Sequence, residues 1–308
     1  MVVGTHFLAM HELLLIDAPG FIWRCFHALP ERRRADGQAI HAVEGFLRIV
    51  LRPVLERNRS THVAVVFEAG GKTFRHELYP AYKAHRAPPP PDLPPQIPIA
   101  MDAVRAFGLE ALAVPGVEAD DVLATLARRG VEAGAKVVVV TQDKDLMQVV
   151  GPNVRLYDQR TKKVVREAEV EIIFGVPPSL VVDVQALAGD AVDGIPGVPG
   201  VGLKTASELV RAIGPLERIL SSLHLVGRPA LRRRLAEYAD QARLSRRLAE
   251  LRTDVELGVP LEALRRPSQA PDPRPFLRAQ DLPERLAPRG GGVRSPDGAG
   301  RPSPARSG

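Results

Sequence analysis

Three short apolar runs, each ending in an acid, constrain this chain more than any other feature. They are Glu12–Asp17 (ELLLID), His62–Glu68 (HVAVVFE) and Ala135–Asp143 (AKVVVVTQD). Their length and their Val, Ile and Leu content predict strands buried on both faces. Helical patterns fall between and around them, at Val43–Glu56, Gln96–Phe107 and Asp120–Ala133. Strands alternating with helices predict an α/β fold with a mostly parallel central sheet flanked by helices. In such sheets ligands bind beyond the C-terminal strand ends, where each of these strands would deliver a carboxylate.

Further acids fall into short groups. Glu118, Asp120 and Asp121 open a helical pattern, Asp143 and Asp145 follow the third strand, and Asp190 and Asp193 flank a turn of small residues. Taken singly, each group has an ordinary reading. Acids favour the first turn of a helix, and Asp favours turns. Joined by Asp17 and Glu68, they would converge at one sheet edge. So many carboxylates cannot meet without counter-charge, because repulsion would raise their pKa values or unfold the site. Divalent cations resolve the conflict. The donors are oxygens with no Cys/His cluster, which points to Mg²⁺ or Mn²⁺ rather than zinc. Two such ions roughly 4 Å apart suit in-line displacement at a phosphodiester.

The rest of the chain supplies positive charge. The formal net charge is +6 even with these acids included, which suits a polyanionic partner, although a basic solvated surface explains the sum equally well. Lys72–Pro98 begins basic and aromatic (KTFRHELYPAYKAHR) and continues into prolines, predicting a partly helical excursion that returns through an extended stretch. Asp183–Val210 reads as helix, Gly/Pro turn, helix, and Arg228–Glu250 as a basic helix or pair of helices. Past Pro267 the chain is rich in Pro, Gly, Ser and Arg, so 267–308 is expected to be disordered. Cys25 is the sole cysteine, which excludes an intramolecular disulfide. His6, His11 and Glu12 interrupt the apolar N-terminal stretch. No membrane segment or export signal is expected, and a cytoplasmic location is.

Five motifs in one order carry a resemblance: LIDAPGFIWRCFHAL (Leu15–Leu29), VFEAGGKTFRHELYPAYKAHR (Val66–Arg86), GVEADD (Gly116–Asp121), TQDKDL (Thr141–Leu146) and LAGDAVDGIPGVPGVGLKT (Leu187–Thr205). Over about Leu13–Val255 the chain resembles the 5′–3′ exonuclease/flap endonuclease family, the 5′ nuclease domain of bacterial DNA polymerase I and its free-standing relatives. The resemblance implies a PIN-like nuclease core over 12–180, with an arch at 72–98 that threads a single-stranded 5′ end, and a helical duplex-DNA-binding region over 181–266. It implies two metal ions on Asp17, Glu68, Glu118, Asp120, Asp121, Asp143, Asp145, Asp190 and Asp193. Lys83 and Arg86 would contact the scissile phosphate, Tyr82 would stack on a base, and Arg24 would face phosphate. Lys72, Arg75, Gly197, Gly200, Gly202, Lys204 and Thr205 would bind DNA, with K⁺ held by carbonyls of the helix–turn–helix turn. A monomer acting on 5′ flaps and 5′ ends is expected. With no polymerase region following, so is a stand-alone nuclease.

The run Gly197–Thr205 also looks like a phosphate-binding P-loop, but Leu203 separates the second glycine from the lysine and no strand precedes it, against that motif. Four departures from the family pattern stand out. Glu68 replaces the usual Asp, Ala18-Pro19-Gly20 replaces Gly-Ser-Ser, Gln142 replaces Gly, and Gly194 replaces Asn. They motivate two alternatives: a structure-specific DNA-binding protein with weakened chemistry, and a related metal-dependent RNase.

Overall fold

The computed structural model describes residues 11–58 and 60–288. The three apolar runs form β1 (Glu12–Asp17), β2 (His62–Val66) and β4 (Lys136–Val140), with the short β3 (Glu110–Leu112) beyond β2 and with β5 (Val154–Tyr157) and β6 (Val164–Val165) beyond β4. The sheet order is β3-β2-β1-β4-β5-β6, parallel except for β6. The chain moves outward from β1 in one direction and then, from β4, in the other. The β1/β4 boundary is therefore a topological switch point, where a crevice opens past the strand ends.

Side chains along these strands alternate between two cores. Leu13, Leu15, Ala64, Val66, Val137 and Val139 face one, while Leu14, Ile16, Val63, Val65, Val138 and Val140 face the other. Both faces are covered by helices, which is why the strands read as unbroken apolar runs. One face carries α6 (Ala119–Glu132), α7 (Glu167–Phe174) and α8 (Val181–Ala188), and continues without a break into α9 (Leu203–Ile213), α10 (Leu216–Ser221), α11 (Pro229–Glu237) and the adjoining α12 (Ala239–Ala249). The other face carries α1 (Ala18–Ala28), α2 (His41–Phe46), α3 (Arg52–Arg57) and α5 (Gln96–Ala106). The short α4 (Phe74–Leu78) begins the excursion between β2 and α5.

Two local features hold this frame. Between α2 and α3 the helix widens into a π turn at Leu47–Leu51. Pro53 offers no N–H to the Ile49 carbonyl, and Gln159 Nε2 donates to that oxygen at 3.0 Å instead, so the carbonyl freed by proline is satisfied from the β5–β6 loop. Between α8 and α9, Gly189 (φ 72°) and Gly197 (φ 60°) bring their backbones together. A Cβ on Gly189 would stand 2.6 Å from the Ile195 carbonyl oxygen, so the turn closes only with glycine there. The side chains of α12 then hold the turn: Ser245 Oγ accepts the Gly197 N–H at 3.0 Å, and Gln241 Nε2 donates to the Gly197 carbonyl at 2.7 Å.

The expectation of disorder from Pro267 onward is corrected for 267–288. Here α13 (Arg274–Ala279) forms, and Leu277, Leu282, Leu286 and Ala287 are buried in the second core. The apolar residues are sparse, but their spacing suffices once an exposed patch on the nuclease core is available to cover. Residues 289–308 of the expected tail lie outside the described residues. Among the described residues no single helix is long and apolar enough to cross a membrane.

Leu277 has no solvent exposure, so Leu277→Ala is expected to reduce unfolding free energy by about 2–5 kcal/mol in a urea titration. A loss below about 0.5 kcal/mol, the range of surface substitutions, would show that α13 does not dock.

Candidate metal centre

The strand ends and the start of α6 bring the acids of the sequence motifs to the switch point. Asp17 ends β1 and is 7% exposed, and Thr141, just past β4, donates to its Oδ2 at 2.7 Å. Glu68 follows β2 and accepts the Ala119 N–H at 3.1 Å, which ties it to the first turn of α6. Asp145 donates its N–H to Asp143 Oδ1 at 2.8 Å. Its own Oδ1 accepts from Gln185 Nε2 at 2.6 Å. Asp120 projects from the first turn of α6 and accepts no hydrogen bond among the described residues.

None of these five acids forms an ion pair among the described residues, and Asp17, Asp145, Asp120 and Glu68 hold their protons tightly as a result. Desolvation, then Asp143 and Glu68, push Asp17 up to about 7 despite the Thr141 hydrogen bond. Desolvation and Asp143 push Asp145 up to about 7, with Lys144 opposing. Asp120 rises well above the carboxylate range through desolvation, Asp143, Asp17 and Asp145. Glu68 rises through desolvation and Glu118, against the Ala119 N–H. The five therefore strain against one another for want of positive charge. Hard oxygen donors in that state fit Mg²⁺ or Mn²⁺. No three Asp, Glu, His or Cys side chains close to ligand distance around one point among the described residues.

The other four acids of the nine expected to hold metal are paired with the protein's own cations. Asp121 has no exposure and is held bidentately by Arg75, at 2.6 and 2.8 Å. It also accepts the backbone N–H groups of Glu118 at 3.0 Å and Arg252 at 2.9 Å. Every lone-pair direction of its carboxylate is engaged, leaving no room for a metal. Arg75, expected to bind DNA, is 1% exposed. Its remaining N–H groups donate to the carbonyls of Leu248 at 2.7 Å and Glu250 at 3.0 Å, at the end of α12. Desolvation disfavours its charge, but Asp121 and Glu118 outweigh that and raise its pKa. It is an internal tie, not a surface contact.

Glu118 receives Lys83 Nζ at 2.6 Å and Tyr82 Oη at 3.0 Å. Arg86 pairs with Asp193, whose Oδ2 lies 3.2 Å from Tyr82 Oη and 3.5 Å from Lys83 Nζ. Burial disfavours the Lys83 ammonium, yet Glu118 and Asp193 hold its pKa above normal. Lys144 Nζ reaches Asp190 Oδ2 at 2.7 Å and, with the Val192 and Asp193 N–H groups, keeps Asp190 low against desolvation. Tyr82, expected to stack on a base, is 1% exposed. Burial and the carboxylates of Glu118 and Asp193 drive its phenol pKa upward, so it serves as a neutral hydrogen-bond donor under the acids. Lys72, Arg24 and Lys204 are exposed, as are Gly200 and Gly202, whereas Gly197 is buried and Thr205 half-buried. Reasoning from sequence passed over Thr141 and Lys144, although both lie inside the TQDKDL motif. It also passed over Gln185, for which no local pattern gave a signal.

Comparison with known proteins agrees with this architecture. The family model described as the 5′–3′ exonuclease N-terminal resolvase-like domain matches residues 12–175, and the model for the 5′–3′ exonuclease C-terminal SAM fold matches 176–272. DNA polymerase I of Rhizobium leguminosarum is 42% identical over 279 residues, covering 88% of this chain and 28% of that protein. The Pseudomonas aeruginosa enzyme is 43% identical over 83% of this chain and 29% of its own length. The chain thus spans under a third of these relatives. Among solved structures, phage T5 5′-exonuclease with bound divalent ions (zinc) gives a TM-score of 0.67 at 20% identity, covering 79% of this chain and 90% of that one. The catalytic core of Rad2 in complex with DNA substrate gives 0.60 at 16% identity, covering 90% of each. At these identities the likeness speaks for the fold.

Two measurements test the centre. Asp145 binds its proton more tightly when folded (about 7) than in its ordinary range near 3.8. Its contribution to stability therefore falls as pH rises between those values and is lost above them. In EDTA, the Tm of Asp145→Asn minus that of wild type is expected to increase from pH 5 to pH 8, and a pH-independent difference would refute the crowding. Asp121→Asn is expected to lower stability by about 3–5 kcal/mol, by leaving Arg75 buried and unpaired, yet to keep the rise in Tm expected of wild type with Mn²⁺. Asp17→Asn is expected to lose that rise, and the reverse pattern would restore Asp121 as a ligand.

Proposed function

The chain belongs to the 5′–3′ exonuclease family, and from that premise we propose that it hydrolyses DNA phosphodiester bonds at 5′ ends and 5′ flaps, using divalent cations held among its strand-end carboxylates. The observation that carries the proposal is the division of the acids. Asp17, Glu68, Asp120, Asp143 and Asp145 stand without an ion-pair partner among the described residues, next to acids that Lys83, Arg86 and Lys144 already neutralise. These five would hold Mg²⁺ or Mn²⁺. Such ions acidify water and stabilise charge on phosphate oxygens.

The protein's own groups complete the chemistry. Lys83 and Arg86 lie over Glu118 and Asp193, where an incoming phosphate exchanges a carboxylate partner for a phosphoryl one. Arginine suits such an exchange because its planar fork matches both anions. Lys83 has a left-handed backbone (φ 54°), and its N–H donates to the Asp193 carbonyl at 2.9 Å. The two cations therefore approach the acids as one unit with the turn beneath them. Tyr82 donates from below and holds Glu118 and Asp193 in place.

Duplex binding is proposed for the turn between α8 and α9. Helix α9 begins at exposed Gly202 with no side-chain cap, so its first N–H groups are open to phosphate, with Lys204 beside them. The basic residues of segment 72–98, with Lys83 and Arg86 beside the acids, support threading of a single strand. The Gly197 and Val198 carbonyls, expected to hold K⁺ at this turn, already accept hydrogen bonds from Gln241 and from the Val201 N–H.

A labelled 5′-flap duplex incubated with the protein and Mg²⁺ or Mn²⁺ is expected to be cut near the flap junction, with EDTA stopping the reaction. Asp17→Asn and Asp145→Asn are expected to abolish cleavage while leaving duplex affinity within a few-fold of wild type. Affinity itself is expected to drop steeply between about 50 and 200 mM salt as counterions compete for phosphate. Absence of cleavage by folded protein with either metal would sink the nuclease reading.

A further inference from the structure

We propose that Gln185, oriented by Gln148, is a positioning residue that presents Asp145 to a divalent cation; the inference rests on the metal-centre reading above. A chain of hydrogen bonds joins the end of α12 to this carboxylate. The Leu251 N–H donates to Gln148 Oε1 at 3.3 Å, and Gln148 Nε2 donates to the Ala249 carbonyl at 2.8 Å. Gln148 Nε2 also donates to Gln185 Oε1 at 3.0 Å, and Gln185 Nε2 donates to Asp145 Oδ1 at 2.6 Å.

The direction of this chain is fixed. An amide side chain on its own can face either way, because its oxygen and nitrogen are nearly the same size. A backbone N–H only donates and a backbone carbonyl only accepts, so Leu251 and Ala249 leave Gln148 one orientation. Gln148 then presents an N–H to Gln185, which must answer with its oxygen and turn its own N–H to Asp145. An amide donor aimed at one carboxylate oxygen favours the ionised form and pins the group's rotation. Asp145 Oδ1 is thereby occupied, while Oδ2 accepts no hydrogen bond among the described residues. The arrangement is what a metal-binding carboxylate needs, with one oxygen held from behind and the other free.

The same chain has a second anchor. Gln185 is 5% exposed on α8, the helix that leads into the proposed duplex-binding turn. Helix α12 also carries Ser245 and Gln241, which hold Gly197. One rigid body thus sets both the turn and the Asp145 carboxylate.

The test is Mn²⁺ binding to metal-free protein by calorimetry, with duplex affinity in EDTA measured alongside. Gln185→Leu keeps the volume and removes the donor. It is expected to raise half-saturating Mn²⁺ by about 10–100-fold, the usual consequence of losing such support, with duplex affinity within twofold of wild type. In the cleavage assay the kcat of Gln185→Leu at low Mn²⁺ is expected to fall and to recover as Mn²⁺ is raised, with KM for DNA unchanged. A merely structural defect would not be rescued by metal. Gln148→Leu, at a half-buried position, is expected to shift Mn²⁺ binding in the same direction but less, and reads the same chain if Gln185→Leu does not fold. Half-saturation within twofold of wild type in the folded variants overturns this inference while leaving the metal centre standing. Failure of the wild type to bind Mn²⁺ overturns both.

Discussion

Repulsion between carboxylates gathered at the ends of parallel strands is the constraint around which this molecule is organised. The fold solves half of the problem internally. Arg75, Lys83, Arg86 and Lys144 reach Asp121, Glu118, Asp193 and Asp190 from segments far apart in the chain. It leaves the other half unsolved at Asp17, Glu68, Asp120, Asp143 and Asp145, and burial and crowding raise the pKa values of Asp17, Glu68, Asp120 and Asp145. A folded protein tolerates such strain only where the surrounding structure over-determines it, and such groups concentrate at functional sites. The site is therefore split into a rim paired with the protein's own cations and a set of acids without such partners.

The neutralised rim also has a mechanical role. Arg75 belongs to α4, Asp121 to the first turn of α6, and the carbonyls that Arg75 caps belong to the end of α12. The last carbonyls of a helix have no partner within it and must find one elsewhere. Here they find it in a guanidinium whose charge is in turn satisfied by Asp121. Three segments distant in sequence are thus locked by one buried group. The basic excursion, the acid-bearing helix and the C-terminal helices cannot shift independently at this point.

Much of this was legible in the sequence. Parallel strands buried on both faces announce themselves as unbroken Val and Leu runs, so β1, β2 and β4 were placed within a few residues. The motif acids did reach one sheet edge, because strand ends and helix starts are fixed by the fold class. What the sequence did not disclose was the partner of each acid. Asp120 and Asp121 are adjacent and chemically identical, yet helical geometry turns them about 100° apart, one toward the strand ends and the other into the protein and Arg75. Pattern reading treats an arginine in a basic stretch as surface, and only packing reveals that Arg75 is interior. The amide chain through Gln148 and Gln185 was invisible for the same reason, since its links are 37 and 40 residues apart in sequence. Composition likewise misjudged 267–288, where four buried apolar residues outweigh the many prolines and arginines.

Gly194 gives one of the departures noted in the sequence a physical meaning. It sits at φ 71° beneath the basic excursion, where a Cβ would stand 3.1 Å from the Ala81 carbonyl oxygen and 3.5 Å from the Lys83 nitrogen. The asparagine usual in the family tolerates this backbone conformation, but its side chain would act as a shim between the two layers. Without it, the stretch bearing Lys83 rests flush on the loop bearing Asp193. The spacing of that seam is set by the smallest residue available, and a bulkier one would wedge the layers apart.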